Sequence, residues 1–78
     1  EREYQEVYME KGIIALAAAL AIGIPALATG WAQSRIGSAG AGAMAEKPEL
    51  AGIFIILVAI PETMVLLGFV VAYLIISG

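Results

Sequence analysis

Glu62 is the only charged residue between Leu50 and Ser77, and it stands close to the middle of that apolar run. If the run crosses a bilayer, a carboxyl group at that depth costs a few kcal/mol even on lenient insertion scales, so a glutamate there is a candidate for function. The plainer alternative is an inert side chain satisfied by its neighbours. The chemistry open to such a group is carriage of an ion. Desolvation disfavours the charged form of a carboxyl group, so Glu62 is expected to face lipid as a neutral acid and to ionise where water or an opposite charge reaches it. Ile55, Val58, Leu66, Phe69 and Tyr73 fall within about 40° of Glu62 on a helical projection, which gives it an apolar surround and also suits ordinary lipid-facing surface.

A partner for Glu62 follows from register. If the chain reverses between Lys47 and Pro48, residues at equal depth have numbers that add to about 95, which pairs Gln33 with Glu62 roughly 22 Å from the turn. The Gln33 amide can donate to a carboxylate or accept from the acid; it can also bond a nearby backbone carbonyl. Pro61 has no N–H for the Leu57 carbonyl four residues back, so the helix is expected to loosen beside the carboxyl group. The Leu57 carbonyl then becomes a possible acceptor or ion ligand. Thr63 can supply a further oxygen, or simply bond back to the Ala59 carbonyl. Arg35 lies near the depth of Gln33 and is expected to snorkel along its aliphatic stem or to sit at a junction between copies.

The elements that must hold these residues are membrane helices. Of 78 residues, 62% are hydrophobic and 14% charged, which excludes an ordinary soluble domain. Gly12 to Ala32 and Leu50 to Ile76 each reach the roughly 20 apolar residues needed to cross a bilayer. Inside lipid the backbone must satisfy itself, as helix or closed barrel, and these runs lack the alternation of barrel strands. The fold class is therefore all-α membrane, a two-helix antiparallel transmembrane hairpin. The chain has no histidine or cysteine and a net charge of −3, which removes disulfides, thiolate chemistry and soft-metal sites and gives no basic patch for nucleic acid. Arg2 and Lys11 in the tail balance Arg35 and Lys47 near the connection, so the positive-inside rule gives no orientation.

Four segments are expected: a polar N-terminal extension over 1–11, a first transmembrane helix over 12–45, a connecting loop over 46–49, and a second transmembrane helix over 50–78. In the extension Tyr4, Val7 and Tyr8 share one helical face and suit the headgroup level. The chain opens on Glu1 and not on methionine, which reads as a chain whose leader has been removed, the alternative being a sequence that starts part-way along its chain. Pro48 suits the first turn of a helix, with Glu49 complementing the positive end of its dipole. The first helix carries small residues every three or four positions: Ala15, Ala19, Gly23, Ala26, Gly30, Ser34, Gly37, Ala41 and Ala45. In lipid, such a stripe lets backbones approach, which fits the inner wall of a multi-copy ring and also packing inside one hairpin or a dimer.

Gly30-Trp31-Ala32-Gln33-Ser34-Arg35-Ile36-Gly37, and Ile60-Pro61-Glu62-Thr63 followed by Leu67-Gly68-Phe69, resemble the proteolipid of V/A-type rotary ATPases, the ring-forming component also called c, K or L. The resemblance covers nearly all of Gly12 to Gly78. It implies a homo-oligomeric ring of identical hairpins, first helices inside and second helices outside, with Glu62 as the ion-carrying carboxylate. It also implies a stator membrane subunit with an essential arginine, central-stalk subunits in contact with Glu46 to Glu49, and residence in a prokaryotic plasma membrane. Such a subunit is not catalytic alone and needs no cofactor; the transported ion is its cargo. Sodium-carrying relatives add polar or tyrosine groups at positions that look like Met64 and Leu67, which are apolar here. The proton is therefore the expected ion, with no bound metal, and sodium the alternative, for which Glu62, Gln33 and Thr63 would supply oxygens. A structural hairpin with no carrier role is the reading from another class.

Overall fold

The computed structural model describes residues 1–78 as two helices folded into an antiparallel hairpin 66 Å long and 18 Å by 9 Å across. Helix α1 runs Arg2–Glu46, and helix α2 runs Ala51–Ser77 after a single 3₁₀ turn at Pro48–Leu50. Both are long and apolar enough to cross a membrane. The polar extension over 1–11 leads directly into the first span, as the opening turns of α1.

Only one residue of the reversal lies outside a helix or 3₁₀ turn. Lys47 sits at φ −133°, ψ 86°, outside the helical region, because the ring of the following proline excludes helical backbone at the preceding residue. Its N–H still bonds the Ala43 carbonyl at 2.9 Å, closing α1. Pro48 then opens the 3₁₀ turn, where its missing N–H costs nothing. Residues 47–50 thus form the connection, one position later than the 46–49 expected.

Burial is sparse. Only four residues are buried, Ala18 and Thr29 on α1 and Gly68 and Ala72 on α2. Large side chains such as Leu27 and Ile76 point outward, 78% and 68% exposed, a surface suited to lipid and not to water.

Close approach of the helices depends on two glycines outside the small-residue stripe. A Cβ on Gly40 would collide with the Phe54 ring, and one on Gly68 would lie 2.5 Å from the Ala21 carbonyl oxygen, 3.2 Å from Pro25 Cγ and 3.3 Å from Ile22 Cα. Pro25 lacks the N–H that would cap the Ala21 carbonyl, and Gly68 packs over that place. A Cβ on Gly23, Gly30 or Gly37 would meet nothing within 4 Å. These stripe glycines therefore take no part in packing inside the hairpin. Ser34 is exposed beside them, while Ala19, also exposed, lines a cleft with Ala18 of α1 and Ala72 of α2.

Candidate functional site

The polar side chains of the two helices meet at one level. On α1, Thr29 and Gln33 are four residues apart and share a face. On α2, Val58, Pro61 and Glu62 lie opposite them. The Gln33 Nε2 donates to Glu62 Oε2 at 2.9 Å and to the Val58 carbonyl at 3.1 Å. Register about the Lys47–Pro48 reversal thus brings together the two residues that the sequence places at equal depth. Because the amide nitrogen serves two acceptors, the side-chain orientation is fixed: a reversed amide would set its oxygen against both.

Glu62 itself is exposed on the flank of α2, in a shallow cleft lined by Gln33, Phe54, Ile55, Val58 and Ala59. Its outward neighbours Ile55, Leu66, Phe69 and Tyr73 are all more than half exposed, so the carboxyl group opens onto an apolar surface. A group so placed meets whatever lies beside α2, whether lipid or another helix.

The remaining named residues fall in different places. Pro61 lies inside α2, which runs unbroken through it and lacks only the bond a proline nitrogen cannot donate. The donors from α1 reach the carbonyls of Val58 and Pro61, and not that of Leu57. Thr63 donates to the Ile60 carbonyl at 2.8 Å, one residue later than the expected Ala59, and it does not line the cleft. The Arg35 guanidinium lies over the Trp31 ring, 5.2 Å from its centroid, on an exposed part of α1 roughly 120° round the helix from Thr29. That arrangement follows from their i, i+4 spacing and keeps Arg35 off the Glu62 side of the hairpin.

Thr29 does not stand out by residue type. Its side chain is 2% exposed, and its Oγ1 donates to the Pro61 carbonyl at 2.8 Å. The signal for it lies in its spacing, since Thr29 precedes Gln33 by one turn and so must face the same helix.

The comparisons with known proteins accord with this architecture. Over 61 residues the chain is 44% identical to the A-type ATP synthase subunit K of Methanocaldococcus jannaschii, a match covering 78% of this chain and 28% of that protein. Over 66 residues it is 39% identical to the V-type sodium ATPase subunit K of Enterococcus hirae, covering 85% of this chain and 42% of that protein. The matches therefore span 28% and 42% of the lengths of these curated relatives. The family model for the ATP synthase C subunit matches residues 16–75, which take in both helices, the reversal and the whole Thr29, Gln33 and Glu62 cluster. On that match the chain, a hairpin of two apolar helices, belongs to the ATP synthase C-subunit family.

Proposed function

We propose that the hairpin is a rotor-ring subunit of a V/A-type ATPase or ATP synthase, and that Glu62 carries protons through the membrane as the ring turns. The observation that carries the reading is the 2.9 Å bond from Gln33 to Glu62 inside an apolar setting. A carboxylate held by an amide donor can be released as a neutral acid without leaving a buried charge behind. Rotation past lipid then moves a neutral group, and a stator arginine is the natural place for proton release. One charge crossing 100 mV releases about 2.3 kcal/mol, so several crossings add up to the requirement for one ATP. In this reading identical copies meet through the stripe glycines Gly23, Gly30 and Gly37, the reversal at residues 47–50 contacts the central stalk, and the membrane is a prokaryotic plasma membrane.

The proton is favoured over sodium by how the oxygens are used. Sodium, as a hard cation, needs several oxygen ligands. Within one hairpin the Gln33 amide presents nitrogen to Glu62, Thr63 does not line the cleft, and Met64 and Leu67 offer no oxygen. The second reading, sodium, has its own support, because the Enterococcus hirae relative is named a sodium ATPase subunit. The test is carbodiimide labelling of Glu62 at constant pH with and without sodium. Unchanged labelling is expected for a proton carrier, and strong protection by sodium would reverse the ion assignment.

A further inference from the structure

The strongest unassigned feature is Thr29, a polar side chain almost completely buried between the helices. Its only hydrogen bond leaves its own helix and ends on the Pro61 carbonyl at 2.8 Å. That carbonyl belongs to the peptide unit whose nitrogen is that of Glu62, and the six atoms of such a unit are held in one plane. Fixing the carbonyl therefore fixes the backbone from which the Glu62 side chain departs.

The same stretch of α2 needs such fixing. Pro61 cannot donate to Leu57, so the helix lacks one internal bond immediately before Glu62. In lipid, a proline break is tolerated when side chains of a neighbouring helix re-engage the local backbone. Here two side chains of α1 reach carbonyls beside the Leu57 carbonyl that the proline leaves free. Thr29 holds the Pro61 carbonyl, and Gln33 holds the Val58 carbonyl, the i−4 acceptor of the Glu62 amide in a regular helix. Gln33 has a second acceptor on the carboxyl group, whereas Thr29 touches only the backbone.

We infer that Thr29 is a positioning residue for the ion-carrying carboxyl group: its hydroxyl clamps the Pro61–Glu62 peptide unit and so holds Glu62 within reach of Gln33. The inference rests on the carrier reading of Glu62. Loss of the hydroxyl leaves the proline break loose, frees the carboxyl group from the amide and lets it swing outward from the cleft.

The test measures labelling of Glu62 by a hydrophobic carbodiimide, quantified by mass spectrometry on the full protein in its native membrane assembly. Wild type, Thr29→Val and Thr29→Ser are compared across a pH series. Thr29→Val keeps the shape and removes the donor; labelling about fivefold faster at fixed pH, with a displaced pH profile, is expected. Thr29→Ser keeps the donor and should return the wild-type rate and profile. A Thr29→Val profile identical to wild type overturns the inference, as does a Thr29→Ser profile that follows Thr29→Val, because the methyl group and not the hydroxyl would then be responsible. If Thr29→Val does not accumulate, Thr29→Ala against Thr29→Ser isolates the same hydroxyl on a shared smaller shape, and equal profiles for that pair overturn the inference. Failure of the carrier reading looks different: wild-type Glu62 would resist the reagent at every pH.

Discussion

Adding one carbon atom at Gly68 should separate the two helices and disturb a site two turns away. In Gly68→Ala the new Cβ would stand 2.5 Å from the Ala21 oxygen, 3.2 Å from Pro25 Cγ and 3.3 Å from Ile22 Cα. Two of these three neighbours are backbone atoms and cannot turn aside. To reach an ordinary contact of 3.4 Å the helices must part by about 0.9 Å at that level. Overpacking of this kind costs about 1–3 kcal/mol. Alanine's advantage over glycine as a helix former, about 0.8–1.0 kcal/mol in water, offers little compensation, since a helix that has separated in lipid is still a helix. If the separation carried undiminished to the polar cluster, the 2.9 Å bond from Gln33 to Glu62 would lengthen to about 3.8 Å and be lost. The assay is a titration with denaturing detergent that reports helix separation by fluorescence transfer between labels on Ser77 and the opening turns of α1, with carbodiimide labelling of Glu62 measured on the same samples. Gly68→Ala should move the midpoint to a lower detergent concentration and accelerate labelling. Gly30→Ala, where a Cβ meets nothing within 4 Å, should leave the hairpin midpoint unchanged. Equal midpoints for wild type and Gly68→Ala would refute the contact on which the reasoning stands.

Three further outcomes are expected. Glu62→Gln should abolish ion-coupled ATP synthesis while leaving the hairpin in the membrane, because the amide matches the shape of the acid and cannot ionise; retained coupling in reconstituted vesicles would remove the carrier role. Gly30→Leu should block ring assembly with little change in the isolated hairpin, since the stripe glycines face open space within one chain; closed rings of normal size seen by electron microscopy would assign the stripe elsewhere. Gln33→Leu should alter the pH dependence of Glu62 labelling and leave transport measurable, whereas sodium protection of the wild type on the order of millimolar, lost in Gln33→Leu, would establish a sodium site.

The fold was legible because lipid leaves so few options. Two apolar runs of sufficient length, no alternation and a proline after a charged break define the hairpin, and Lys47–Pro48 set the register that joins Gln33 to Glu62. Two features are harder to read. Small residues at helical spacing are consistent with several partners, so the stripe draws attention to Gly23, Gly30 and Gly37, while the hairpin closes on Gly40 and Gly68. What distinguishes Gly68 is its place opposite the Pro25 break, a relation between two helices that no single-helix periodicity contains. Thr29 is hidden for a related reason: a threonine inside a membrane helix can satisfy itself on its own preceding turn, as Thr63 does at Ile60, whereas Thr29 bonds across to the Pro61 carbonyl, a choice of partner that residue type does not reveal.

The energetics tie the site to the hairpin. In lipid there is no hydrophobic driving force between helices, so association depends on close packing and on interhelical hydrogen bonds worth about 0.6 kcal/mol each on average. The three bonds from Thr29 and Gln33 then contribute about 2 kcal/mol, the same order as the overpacking cost expected at Gly68. Neither term dominates. The polar cluster that orders Glu62 also helps hold α1 on α2, and the glycine contact that holds α1 on α2 also sets the reach of Gln33. A perturbation at either place should therefore be felt at the other. Combining Thr29→Val with Gly68→Ala should cost less than the two single changes together, because either one alone already loosens the bond from Gln33 to the carboxyl group. Strict additivity in both the detergent midpoint and the labelling rate would mean that packing and site are independent, and that the position of Glu62 is set by α2 alone.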